Sequence, residues 1–312
     1  MRENGSDRRA KPGKKWRRAR KEALFGFLFA SPVILGYLIF VFGPLAFSLG
    51  ISFTDYNILS KMSFVGLANY RSLFDGTNPF FYKSLLVTSY YVVLSVPLQV
   101  VFAFAVALLL NRSIRGKAVF RTIFFLPTMV PVVASSVIWL WLFNPDLGLL
   151  NQVLKFLHLP QSQWIFSERM AVPSLVLMSL WTVGGTMVIF LAGLQGIPKH
   201  LYEAVDVDGG TARHKLFRIT VPMMTPTLFF NTVMGFIGSF QVFGQAYIMT
   251  GGGPNNATLF YSFFTYREAF ESMRMGSASA ISWILFVIIL LLTLLIFKSS
   301  SLWVYYESEG KA

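Results

Sequence analysis

Six apolar runs, each long enough to cross about 30 Å of hydrocarbon, constrain this 312-residue chain more than any other feature. They fall near 23–49, 84–110, 122–143, 171–194, 225–249 and 278–297, and none contains Asp, Glu, Lys, Arg or His. Inside a bilayer every backbone N–H and C=O must be bonded within the protein, so runs of this length are helices. The implied fold class is all-α: a polytopic membrane protein with six transmembrane helices. Pro32, Pro44, Pro97, Pro127, Pro131 and Pro173 lie in or near the runs and predict kinks.

The polar segments between the runs set the orientation. On one side lie twenty Lys and Arg, ten of them within residues 2–21; the other side has seven. By the positive-inside rule the twenty face the cytoplasm, which puts both termini there. Residues 1–22 read as a basic cytoplasmic tail, disordered up to about Trp16. Residues 23–298 are the transmembrane domain and 299–312 a second cytoplasmic tail. The first run is too long for the 7–15 apolar residues of a signal peptide, so it is an uncleaved span. The net charge of +13 is concentrated at the N-terminus without interleaved aromatics, which argues against nucleic acid and for topology. Outside, 148–159 and 257–275 repeat apolar residues at helical spacing and read as short interfacial helices.

Several chemistries are excluded. The chain has no cysteine, and His158, His200 and His214 are too far apart to share a metal, so no metal site is expected. No phosphate-binding loop of the Gly-x-x-x-x-Gly-Lys-Ser/Thr type occurs; Gly251-Gly252-Gly253-Pro254 lacks the lysine and reads as an external turn. The chain therefore binds no ATP by itself and holds no cofactor. No nucleophile elbow, zinc-protease motif or paired intramembrane carboxylates appear, so no catalytic residue is expected. A proton-coupled carrier needs ionisable groups in its spans, and none is present. A stand-alone carrier for a neutral solute, built on unwound carbonyls, is the alternative that this argument leaves.

One polar island interrupts the apolar pattern between the fourth and fifth runs. Residues 201–222 hold six charges, Glu203, Asp206, Asp208, Arg213, Lys215 and Arg218, at about 2.5–3.5 kcal/mol each in mid-bilayer, so the island lies in water. Pro198 suits a helix start, and no breaker comes until Gly209-Gly210, which predicts a helix over 199–207. Helical spacing puts Lys199, Tyr202, Glu203 and Asp206 on one face and Leu201, Ala204 and Val205 on the other. The two glycines permit a reversal, Thr211 caps a second helix, and Pro222 is expected to end it.

Glu203-Ala204-Val205, Gly209 and Ile219-Thr220-Val221-Pro222 resemble the "EAA" loop of bacterial ABC-importer permeases: Glu-Ala-Ala, three residues, Gly, and a later Ile-x-Leu-Pro. The departures, Val205, Gly210 and Val221, stay small or apolar. Ser52-Phe53-Thr54-Asp55-Tyr56, the stretch from Phe64 to Tyr70, Thr250 to Pro254 and Trp303 to Tyr306 look like the carbohydrate-uptake branch. Within it the chain is similar to the maltose-type first permease, without that protein's long external domain. The resemblance implies the type I importer fold, with 195–222 as a cytoplasmic coupling loop whose helix fits a cleft in a separate ATPase dimer. Tyr202, Glu203, Ala204, Val205, Asp206, Asp208 and Gly209 are then the coupling residues. It also implies a second permease subunit, an extracellular solute-binding protein and a sugar or oligosaccharide substrate.

Neutral polar residues populate the later spans. Ser135, Ser136, Thr182, Thr186, Ser239, Ser279 and Ser282 are of the size that lets helices approach closely. Asn231, Gln241 and Gln245 are costlier to bury, and with Phe240, Phe243 and Tyr247 nearby they make an amide-plus-aromatic set suited to sugar hydroxyls and ring faces. Asn231, Phe240, Gln241, Gln245 and Tyr247 are thus the substrate-path candidates, and the fifth run is the expected pore wall.

Overall fold

The computed structural model describes residues 12–58 and 61–305, with side chains from Arg20 onward. The expected N-terminal tail lies partly outside the described residues, in 1–11. From Pro12 the chain is already helical, because Lys14 to Glu22 contain nothing that breaks a helix. Helix α1 (Pro12–Tyr37) passes through a π turn at Leu38–Phe42 into α2 (Gly43–Ser52). The widened turn sits just ahead of Pro44, whose ring would otherwise clash with a carbonyl of the preceding turn. After α3 (Ala68–Phe74), α4 (Pro79–Asn111) runs 33 residues without ending at Pro97. The Asn78 side chain caps its start by accepting from Phe80 N at 3.0 Å.

The third and fourth runs are not straight spans. Helix α5 (Lys117–Phe125) and its 3-10 extension to Met129 meet α6 (Val132–Leu142) at 103°, where Pro131 succeeds Val130. Beyond the short α7 (Leu149–Phe156), α8 (Ala171–Leu180) meets α9 (Gly184–Gly196) at 47°. The kink expected near Pro173 lies instead at 181–183, since Pro173 falls in the first turn of α8, where its missing N–H is an orphan in any case. At the start of α9 a Cβ on Gly184 would lie 2.2 Å from the Phe124 carbonyl oxygen, so α9 presses backbone to backbone on the end of α5.

The short helices α10 (Lys199–Val207) and α11 (Ala212–Lys215) lead through a π turn at Leu216–Thr220 into α12 (Val221–Phe240). Pro222 was expected to end the second helix. The π turn accommodates it, and the helix continues. Helix α13 (Tyr261–Tyr266), a π turn at Arg267–Glu271 and α14 (Met275–Ser300) follow. By length and composition three helices can cross a membrane, Arg20–Ser52, Pro79–Asn111 and Met275–Ser300, and five if each bent pair is one span. The fifth run supplies α12, whose 20 residues rise about 30 Å. Two prolines, Asn231 and several hydroxyls dilute its apolarity.

The core has two storeys joined by α4. One gathers Phe81, Tyr91 and Val92 with α8 and with Phe260 and Tyr261. The other gathers Ala103, Ala107 and Leu110 with Phe190 and Leu194 of α9 and Met224 of α12. Helix α4 packs most closely on α9, α12 and α8.

Candidate functional site

The polar island folds into a tight hairpin of helices. Helix α10 occupies the predicted 199–207, with Pro198 extended at its N-cap. Gly209 has φ +71°, where any side chain is strained. Its N–H donates to Asp206 O at 3.1 Å and that of Gly210 to Val205 O at 2.8 Å, a Schellman closure of the helix end. Thr211 then caps α11, its N–H donating to His214 Nδ1 at 3.3 Å.

Three contacts fasten α10 to the rest of the fold. Lys215 Nζ lies 2.6 Å from Asp206 Oδ2. Thr220 Oγ1 donates to Lys215 O at 3.1 Å, so the Tyr202 hydroxyl, also 3.1 Å away, is the donor to Thr220. Leu201, Tyr202 and Val205 pack on the storey of the core that holds Phe190, Leu194 and Met224. Two face assignments change as a result. Tyr202 turns inward, because its hydroxyl finds Thr220, and Ala204 points outward. Asp206 and Asp208 are exposed, but Asp206 is committed to Lys215 within the chain. The surface that α10 presents to water includes Lys199 and His200 in its first turn and then Glu203, Ala204 and Val207, and Val207 is 88% exposed. Val207 was not among the expected coupling residues, although its spacing of four from Glu203 was the available signal.

A cavity of about 380 Å³ lies among α4, α6, α8, α9 and α12, where the helices break. Val130 and Val132 border it at the first break, Thr182 at the second, and Gln245 beyond the end of α12. Its polar lining is neutral: Gln99, Ser135, Thr182, Thr186, Asn231 and Gln245, with no Asp, Glu, Lys, Arg or His. Asn231 Nδ2 donates to Thr227 O at 2.8 Å, which leaves Oδ1 without a partner. The Ser135 hydroxyl is buried and has no hydrogen-bond partner among the described residues, a state that costs about 1–3 kcal/mol.

Of the five path candidates, Asn231 and Gln245 line this cavity and three do not. Phe240 is 4% exposed in the core, and Gln241 and Tyr247 are exposed outside the lining. Helical spacing through residue 249 assumed one unbroken helix; α12 stops at Phe240, and the break re-aims everything after it. Gln99 was not expected in the lining: it stands alone in the second run, with no second amide nearby to mark it. Among the described residues no three His, Asp or Glu side chains gather as metal ligands would.

Residues 99–305 match the family model described as the binding-protein-dependent transport system inner membrane component. The chain belongs to that family. It is a multi-pass membrane permease of the ABC-importer type, a component that transports rather than catalyses. Its relatives include the probable ABC transporter permease protein YesP of Bacillus subtilis, 41% identical over 95% of this chain and 96% of that one. Another is the trehalose/maltose transport system permease protein MalF of Thermococcus litoralis, 31% identical over 89% and 94%. Among solved structures, a bacterial alginate ABC transporter in complex with an alginate pentasaccharide-bound periplasmic protein matches with a TM-score of 0.78 at 23% identity. That match covers 91% of this permease and 96% of the solved chain, and it shows the shared fold. The matched family region contains both the hairpin and nearly all of the cavity lining.

Proposed function

We propose that this permease imports a neutral sugar or oligosaccharide, paired with a second permease, on a cytoplasmic ATPase dimer, and fed by an external solute-binding protein. The observation that carries the reading is the cavity at the helix breaks. Its amides and hydroxyls are neutral, and a saccharide is a dense array of hydroxyls that can bond such groups. A charged solute would enter it without a counter-charge from this chain, at a large desolvation cost. The relative named for trehalose and maltose supports the same class.

The geometry suggests how a partner's ATP cycle reaches the cavity. With both termini and the hairpin in the cytoplasm, Glu203, Ala204 and Val207 form the face that docks on the ATPase. Tyr202, Val205 and the Asp206–Lys215 pair tie that face to α12, while Asp208 and Gly209 close the turn. A displacement of α10 therefore carries α12, and Asn231 with it, as one body. ATP is bound and hydrolysed by the partner; this chain turns rigid-body motion into alternating access. The first span has none of its apolar window buried by the rest of the chain, which leaves it for lipid and the second permease.

Vesicles reconstituted with the whole assembly test this. Sugar uptake should require both ATP and the binding protein. Uptake by this chain alone, without either, would identify a stand-alone carrier instead.

A further inference from the structure

A second hollow, of about 350 Å³, lies between α13, the π turn after it and the outer turns of α14, and the coupling mechanism makes no use of it. Phe243 faces this hollow while its neighbours Val242 and Gln245 face the midplane cavity, so a single turn of chain separates the two spaces.

One wall is aromatic. Phe243, Tyr266 and Phe270 line it, with Tyr247 and Phe263 completing a five-ring cluster. Phe243 stacks on Tyr247 at 5.4 Å, and Tyr266 meets Phe270 at 5.1 Å. Yet Phe270 remains 57% exposed and Tyr247 46%, so the cluster turns ring surface outward rather than closing on itself. Hydroxyls border the hollow on both sides, Ser262 and Thr265 on α13 beside the rings, Ser279 and Ser282 on α14. Thr265 and Ser282 donate to the Tyr261 and Ala278 carbonyls at 2.9 and 3.0 Å, which spends their protons and leaves their lone pairs. Ser279 makes no hydrogen bond to any described residue.

The opposite face of α14 supplies a contrast within the same helix. There Trp283, Ile284 and Val287, with Leu49, Phe74 and Leu85, bound a groove without a single serine or threonine, a surface for acyl chains. The hydroxyl face is not built for lipid.

We propose that the aromatic and hydroxyl hollow is an outer saccharide subsite, holding one ring of a neutral oligosaccharide while another occupies the midplane cavity. This rests on the sugar-permease reading above. A pyranose ring presents a flat C–H face and a rim of hydroxyls; Phe270 and Tyr266 match the face, and Ser279, Ser282 and Thr265 match the rim. Two subsites one turn of chain apart favour chains over single sugars. An oligosaccharide gains from both, a monosaccharide from one.

The test uses vesicles carrying the complete transporter and its binding protein, offered a panel of neutral mono-, di-, tri- and tetrasaccharides. Phe270→Leu keeps apolar bulk but removes the flat face, and Ser279→Ala removes the free hydroxyl. Each should raise the half-saturating concentration for imported tri- and tetrasaccharides about tenfold and hardly change that for monosaccharides, with maximal rate and basal ATP hydrolysis kept. Phe270→Trp should retain wild-type uptake. Wild-type kinetics in Phe270→Leu would overturn the subsite. So would equal losses at every chain length, or a Phe270→Trp defect as large as that of Leu, the marks of mere packing. Import of monosaccharides alone would overturn it too. If the wild type imports no panel member with ATP and binding protein present, the sugar-permease reading fails first, and the subsite falls with it.

Discussion

In the hairpin between Pro198 and Pro222 the polar residues are consecutive and face water, whereas in the midplane cavity they are single residues lent by five helices and face one another. The hairpin is a local object: a proline start, a glycine in the left-handed region, a threonine cap and three tethers, all within two dozen residues. The cavity is a tertiary object that exists only because three helices break around it. The difference teaches that a permease can hold a stiff lever next to a soft-walled, uncharged chamber. Substitutions should act on the two in different ways, abruptly on the lever and by degrees on the chamber.

The largest effects belong to the lever. Gly209→Val forces a β-branched residue to φ +71°, and Glu203→Lys reverses the exposed charge of α10. Each should leave a membrane-inserted permease whose uptake is abolished and whose partner ATPase no longer responds to loaded binding protein. Truncating one member of an interfacial charge pair costs about 2–5 kcal/mol, enough to weaken docking by an order of magnitude or more. Next comes the contact of α9 with the end of α5. Gly184→Val would thrust carbon into the Phe124 backbone, an overpacking that costs about 1–3 kcal/mol or more, and should lower both the melting temperature of the purified complex and its uptake. Gly185→Ala, with nothing within 4 Å of its Cβ position, is the silent control.

Changes in the chamber should be graded. Asn231→Leu and Gln245→Leu each remove a neutral amide from the lining and should weaken uptake about tenfold, at roughly 1–3 kcal/mol per lost hydrogen bond in a dry site, while assembly with the ATPase persists. Gln241→Ala, outside the lining, should do less. If Gln241→Ala matched Gln245→Leu, the boundary drawn around the cavity would be wrong. The smallest effect is Asp206→Asn. An exposed ion pair is worth about 0–1 kcal/mol, so coupling should fall only a few-fold, and exchanging the charges as Asp206→Lys with Lys215→Asp should restore it. A charge swap as inactive as Gly209→Val would show that Asp206 meets the ATPase rather than Lys215.

Legibility in the sequence divides along the same line. The limits of α10 could be read to the residue, because Pro198 and Gly209 are local signals and six charges exclude lipid. Which way its side chains turn could not be read, since Tyr202 faces inward only because Thr220, 18 residues later, bonds its hydroxyl. The apolar runs were legible as helices and Pro131 marked the break at Val130, but the break at 181–183 lies away from Pro173, beside a close approach of Gly184 to the Phe124 backbone that no local pattern records. The cavity suffered most. Asn231 sits on unbroken α12 and lines the cavity. Gln241 and Tyr247 lie past the break at Phe240, where extrapolated helical spacing no longer holds.

The central claim is that the hairpin moves the chamber, and the absence of cysteine from the chain makes that directly measurable. A single Gln245→Cys, in the complete transporter in sealed vesicles of known orientation, reports through its reaction with an impermeant maleimide applied from the binding-protein side. The account predicts slow labelling without nucleotide, fast labelling with a non-hydrolysable ATP analogue, protection by the transported sugar, and loss of the nucleotide effect when Gly209→Val is added. Labelling that ignores nucleotide, or that still responds to it in the Gly209→Val background, would contradict it.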